Sequence, residues 1–124
     1  MEPAWNDANL KEIAGAVISP LVFAHVRAAT HGGIVSRSNC HPFRYGPFAF
    51  MHNGGISMWE GPKGVKALLH TIIPAFLREK IEGNTDSEVI FALFLSLLPA
   101  HLEDFPPTKI PRKLVCFFFS KNIF

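Results

Sequence analysis

The sequence predicts a single α+β domain, and three observations predict it. Apolar residues recur at helical spacing over 6–17, 62–80 and 86–98, and short β-prone runs occupy 21–28 and 48–52. At 124 residues the chain is long enough for one core and too short for two. Basic and acidic residues number 12 and 10, a formal charge of +2 without a long Lys/Arg run. Nothing in that balance favours nucleic acid or an anionic membrane. The longest apolar run, 89–98, is interrupted by Ser96 and reaches only about half of the ~20 residues a bilayer crossing needs, so it reads as a buried helix. Cys40 and Cys116 stand far apart and the opening MEPAWNDANLKE has no signal-peptide pattern, so a reducing, cytoplasmic setting is expected and a disulfide is not.

Each element has its own signal. Asn6 or Asp7 can cap a helix whose Leu10, Ile13, Ala14 and Val17 form one face, expected to cover a core edge. Ser19-Pro20 breaks it. In the strand expected at 21–28, Val22, Ala24, Val26 and Ala28 point to one face and Phe23, His25 and Arg27 to the other. Residues 30–33 leave in a turn, and 36–45 read as a loop braked at Pro42. A second strand covers 48–52, after which Asn53-Gly54 is a strong hairpin signal with 55–58 as the return strand. The helix over 62–80 carries the stripe Val65, Leu68, Leu69, Ile72, Ile73, Phe76 and Leu77, kinked at Pro74. Gly83 ends it, and Thr85-Asp86-Ser87-Glu88 has the capping-box form, with Thr85 taking the Glu88 amide while Glu88 reaches back. The proline-spaced stretch 99–113 reads as a connector and the Phe-rich 114–124 as a strand or an out-of-place terminus.

The chemistry concentrates in 21–56, which holds one Arg on an apolar strand, four of the six His, Cys40 and several Gly. Arg27 offers a planar fork suited to bidentate capture of a carboxylate. Asp86, at a helix start, can accept hydrogen bonds from an ammonium group. The Asn53 amide and the Gly54 N–H, on a turn that lets backbone approach a ligand, can form an oxyanion hole for acyl transfer. Taken singly, Arg27 reads as an ion-paired strand residue, Asp86 as an acid on a helix dipole and Asn53-Gly54 as a turn. His25, His31, His41 and His52 with Cys40 match no compact zinc spacing, so no metal and no cofactor is expected. Cys40 beside His41 is an alternative nucleophile, although adjacent loop residues seldom orient as nucleophile and base.

Taken in order, HVRAATHG, NCHPF, HNG and TDSE resemble the class II glutamine amidotransferases, a branch of the N-terminal-nucleophile hydrolases. Pro3-Ala4-Trp5-Asn6, SPLVFAHVRAAT and the run from NCHPF to GNTDSE are similar, more narrowly, to the fungal amidotransferase subunits of a glutathione-degrading complex. The resemblance covers residues 3–98. It implies an αββα sandwich that hydrolyses the γ-amide of glutamine or of a γ-glutamyl compound such as glutathione, with a peptidase subunit as partner. It also implies that Arg27 holds the substrate carboxylate, Thr30 and His31 line its pocket, Asp86 holds the α-amine, and Asn53 and Gly54 form the oxyanion hole.

One departure bears on activity. The family's nucleophile is a cysteine at the mature N-terminus, whose α-amine serves as base. Here position 2 is Glu and no Cys, Ser or Thr precedes Ser19. The expectation is therefore a partial amidotransferase domain over 1–104, short of its opening strands and its nucleophile, followed by a connector and apolar tail over 105–124. The other reading is a non-catalytic fragment that binds a γ-glutamyl ligand or a partner subunit.

Overall fold

Phe50, Ile73, Leu77 and Val89 are each 1% exposed, and the fold is arranged around them. The computed structural model describes residues 6–20, 22–27, 34–61 and 63–98, with 115–120 as backbone alone. The element order is α1 (Ala8–Ala16), β1 (Phe43–Tyr45), β2 (Phe48–Asn53), α2 (Val65–Ile72), α3 (Ala75–Arg78), α4 (Asp86–Ser96) and β3 (Val115–Ser120), with a 3₁₀ turn at Arg37–Asn39. The class is α+β. The expected segments at 1–5, 21, 28–33, 62, 99–114 and 121–124 lie outside the described residues, Thr30 and His31 among them.

Among the described residues there is one sheet, of order β1-β2-β3. β1 pairs antiparallel with β2 across a tight turn at Gly46-Pro47, where Gly46 has a φ of 51°, a left-handed setting that glycine tolerates. β2 pairs in parallel with β3, from Phe48 beside Val115 to Asn53 beside Ser120. A parallel return needs a long crossover, and α2, α3 and α4 lie within it. As the middle strand, β2 buries Ala49, Phe50, Met51 and His52 in succession. Phe50 stacks on Phe91 of α4 at 5.4 Å, and Leu69, Ile73, Leu77, Val89 and Leu95 close the core around that pair.

Several expectations change. Residues 22–27 have no regular structure, and the sheet among the described residues does not include them. Their two-faced pattern nevertheless persists: Val22, Ala24 and Val26 are exposed while Phe23, His25 and Arg27 are half-buried. Asn53-Gly54 does not turn a hairpin. β2 ends there and 55–58 is not a strand, because Met58 sits at a φ of 54° and the Ile56 amide is taken by a side chain, Asp86. The hairpin lies earlier, at Gly46-Pro47, and its first strand, β1, falls in the stretch read as loop. Pro74 splits the long helix into α2 and α3 outright, and Leu68 and Ile72 of its expected stripe are exposed. α1 is capped by Asp7, whose Oδ1 takes the Leu10 amide, but it buries none of its residues and covers no core edge. The tail forms strand β3, one of its two expected outcomes.

Candidate functional site

α4 begins as the sequence predicts, with Thr85 Oγ1 accepting the Glu88 amide at 3.3 Å. Glu88 does not complete the box. Its carboxylate turns to the preceding loop and accepts the amides of Glu82 at 2.9 Å and Gly83 at 2.7 Å, and burial raises its pKa against the pull of those bonds. Asn39, 1% exposed, clasps the same loop: its Nδ2 donates to the carbonyl of Ile34 and to Asn84 Oδ1, and its Oδ1 accepts the Asn84 amide. These bonds carry α4 and the 34–39 segment as one frame, and the frame fixes where Asp86 stands.

Asp86 faces the end of β2. Its Oδ2 accepts the Ile56 amide at 2.9 Å, and its Oδ1 accepts the Ser87 amide at 2.8 Å and the Ser87 hydroxyl at 3.3 Å. A β-carbon added at Gly55 would lie 3.8 Å from Oδ2, so this carboxylate is packed along the chain that leaves Asn53-Gly54. Asn53 and Gly54 are exposed. The candidate amine acceptor on α4 is thus bonded to the short loop that the candidate oxyanion donors begin.

Three histidines back that loop. The His52 carbonyl accepts from His25 Nε2 at 3.0 Å, which places a proton on that nitrogen. The His25 ring stacks on His41 at 4.0 Å, and His41 meets the edge of Phe43 at 4.6 Å. Both His41 nitrogens are buried without a hydrogen-bond partner among the described residues. Burial lowers the His41 pKa to about 4, with His25, His52 and Arg27 adding repulsion and Asp86 opposing it. His41 is therefore neutral at pH 7, and Arg27 and Asp86 both lie within electrostatic reach of it. Among the described residues Arg27 makes one long bond, Nη1 to the Ile34 carbonyl at 3.5 Å, which leaves most of its donor fork uncommitted there. Three of the four motifs that are ordered in sequence meet here through described residues, together with His25 and Arg27 of the first.

Sequence reasoning missed Ser87, which stands 3.0 Å from Nδ1 of the buried His52. It also missed the structural part of Asn39, because a bond spanning 45 residues has no local signal. Cys40 is exposed and donates to the Ser36 carbonyl at 3.4 Å. It lines a cavity of about 580 Å³ together with Phe43, Tyr45, Glu88, Phe91 and Leu95, a cavity that Arg27, Asn53, Gly54 and Asp86 do not line. The directed polar contacts that join the candidate residues therefore lie apart from this cavity. Among the described residues no group of three or more His, Cys, Asp or Glu side chains is placed to hold a metal, and no helix is long and apolar enough to cross a membrane.

Residues 8–116 match the family described as glutamine amidotransferases class-II. The chain belongs to that family. It is 53% identical over 96 residues to the probable glutamine amidotransferase DUG3 of Saccharomyces cerevisiae, covering 77% of this chain and 26% of that protein. A gamma-glutamyl-hercynylcysteine sulfoxide hydrolase of Mycolicibacterium smegmatis is 32% identical over 77% of this chain and 36% of its own length. A putative glutamine–fructose-6-phosphate aminotransferase of S. cerevisiae is 36% identical over 69% of this chain and 30% of its own. The chain spans about a quarter to a third of the length of these curated relatives. No solved structure matches it.

Proposed function

We propose that this class II amidotransferase segment supplies the substrate-binding and oxyanion half of a site that hydrolyses the γ-amide of glutamine or of a γ-glutamyl compound such as glutathione. Arg27 pairs with the substrate carboxylate, with Thr30 and His31 lining the carboxylate pocket as the family resemblance implies, and Asp86 accepts from the α-ammonium group. Asn53 Nδ2 and the Gly54 N–H stabilise the oxygen that becomes negative when a thiolate attacks the γ-carbonyl. In that step the carbon–sulfur bond forms, the carbon–nitrogen bond breaks and the nitrogen leaves protonated; water then releases glutamate. Among the described residues, Cys40 does not fit the nucleophile: it lies in a loop and donates to a carbonyl, without the terminal amine that the mechanism uses as base. The observation that supports the reading most is the bond from the Ile56 amide to Asp86, which joins the amine acceptor to the oxyanion turn.

The same reading takes the sheet and helices as part of an αββα sandwich, with 1–104 as the domain and 105–124 as an appended connector whose strand edges β2. It assigns the protein to the cytoplasm with a peptidase subunit as partner. Calorimetric titration with glutamine and with glutathione tests it, alongside Arg27→Ala. Binding that this substitution weakens at least about tenfold supports the reading. No binding, or binding indifferent to Arg27, overturns it. A second reading, a binding segment without catalysis, is favoured by Cys40, whose thiol donates to the Ser36 carbonyl. Hydrolysis by the segment alone would exclude it.

A further inference from the structure

Ser87 sits within the capping sequence, yet its side chain does not serve the cap, which Thr85 fills. Its hydroxyl instead lies between two groups of different elements, 3.0 Å from His52 Nδ1 on β2 and 3.3 Å from Asp86 Oδ1 on α4. A serine hydroxyl has one proton to donate and a carboxylate can only accept. Both bonds hold at once only when Ser87 donates to Asp86 and His52 Nδ1 donates to Ser87. With the Ser87 and Ile56 amides, Asp86 then receives three donors. A carboxylate offers about four acceptor positions, so roughly one remains for an incoming N–H. His52 is itself held in place: its carbonyl accepts from His25, and the residue is 7% exposed. It directly precedes Asn53.

We propose that His52 and Ser87 are positioning residues, a hydrogen-bonded chain that fixes the Asp86 carboxylate for a substrate α-ammonium group and ties its orientation to the strand end bearing the oxyanion donors. The proposal rests on the γ-glutamyl reading above and narrows it to substrates with a free α-amine. Were the His52 proton on Nε2 instead, the Ser87 hydroxyl would turn to His52 and Asp86 would lose it. The carboxylate would then be free to rotate away from the substrate amine.

Two measurements on the full chain decide this. Nitrogen NMR of labelled histidine should show the His52 proton on Nδ1, with that resonance shifted by Ser87→Ala; a proton on Nε2 alone overturns the chain. Calorimetry should then show Ser87→Ala weakening glutamine about tenfold while changing glutaramate, which lacks the α-amine, by less than about twofold. Ser87→Thr, which keeps the hydroxyl, should recover most of the loss. Equal losses for both ligands, or none for glutamine, overturn the proposal. If the unmodified chain binds neither ligand, the γ-glutamyl reading fails, and the His52 proton position still upholds or overturns the chain.

Discussion

Asp86 and Ile56, 30 residues apart in sequence, are joined by one bond of 2.9 Å from backbone amide to carboxylate. That bond replaces the strand ladder which the Asn-Gly signal predicts. It turns a possible hairpin into an open loop whose shape depends on a side chain in the first turn of α4. A charged acceptor at a helix N-terminus also gains from the helix dipole, so the residue that shapes the loop is stabilised where it stands.

Asp86→Asn should separate the two parts Asp86 plays. The amide keeps one acceptor oxygen, so it can hold the Ile56 or the Ser87 amide but sets a donor against the other. A stability loss of about 1–3 kcal/mol is expected in chemical denaturation. Glutamine binding should fall at least about tenfold through loss of the charge-assisted contact.

Arg27→Lys should change binding and leave the fold nearly untouched. The side chain makes a single long hydrogen bond among the described residues, so its replacement should alter stability by less than about 0.5 kcal/mol. A lysine cannot reproduce the two-pronged grip on a carboxylate, and affinity for glutamine should drop about tenfold in the same titration.

His41 predicts an acid limit to stability. Its pKa falls from 6.5 to about 4 on folding, so between those values the unfolded chain binds a proton that the folded chain refuses. Stability should be fully present above pH 6.5 and decline as the pH falls toward 4, by roughly 1–2 kcal/mol once solvent screening is allowed for. Glu88 runs the other way, since a raised carboxyl pKa favours the folded state on acidification. Denaturation midpoints of the parent and of His41→Phe across this range isolate the histidine: the variant should lose the decline.

Gly83→Ala should be severely destabilising. A β-carbon there would lie 2.7 Å from Glu88 Oε2 and 2.8 Å from the Ser38 carbonyl, and it would also press on Asn39 Oδ1. Relief requires breaking the loop clasp, at about 2–4 kcal/mol in thermal or chemical unfolding. Asn39→Ala removes the clasp from the other side and should lose about 1–3 kcal/mol by leaving the Asn84 amide without its acceptor.

The helices were legible because their signals are local. Thr85 caps α4 as its position predicts, and Leu69, Ile73 and Leu77 are buried on the expected stripe. The faces of 22–27 were legible for the same reason, although the strand was not: a strand exists only with a neighbour, and no residue within that run specifies one. The Asn53-Gly54 signal failed because Asp86 competes for the Ile56 amide from across the fold. The hairpin at Gly46-Pro47 was not foreseen, because its first strand lies within the stretch 36–45 that reads as a loop, although 48–52 reads as a strand. For the site, Arg27, Asn53, Gly54 and Asp86 were named from residue chemistry and family resemblance. Ser87 was not, since its importance lies in a pairing with His52, 35 residues away.

The clasp of Asn39 on Asn84 has a kinetic consequence. Its bonds close a span of 45 residues, so they can form only after the sheet and the start of α4 have come together, and they must release before either loop can open. The 34–39 segment and the 81–84 loop should therefore exchange their amide hydrogens with solvent as one cooperative unit. Independent exchange of the Asn84 amide and of the amides of the 34–39 segment would show that the two loops breathe separately.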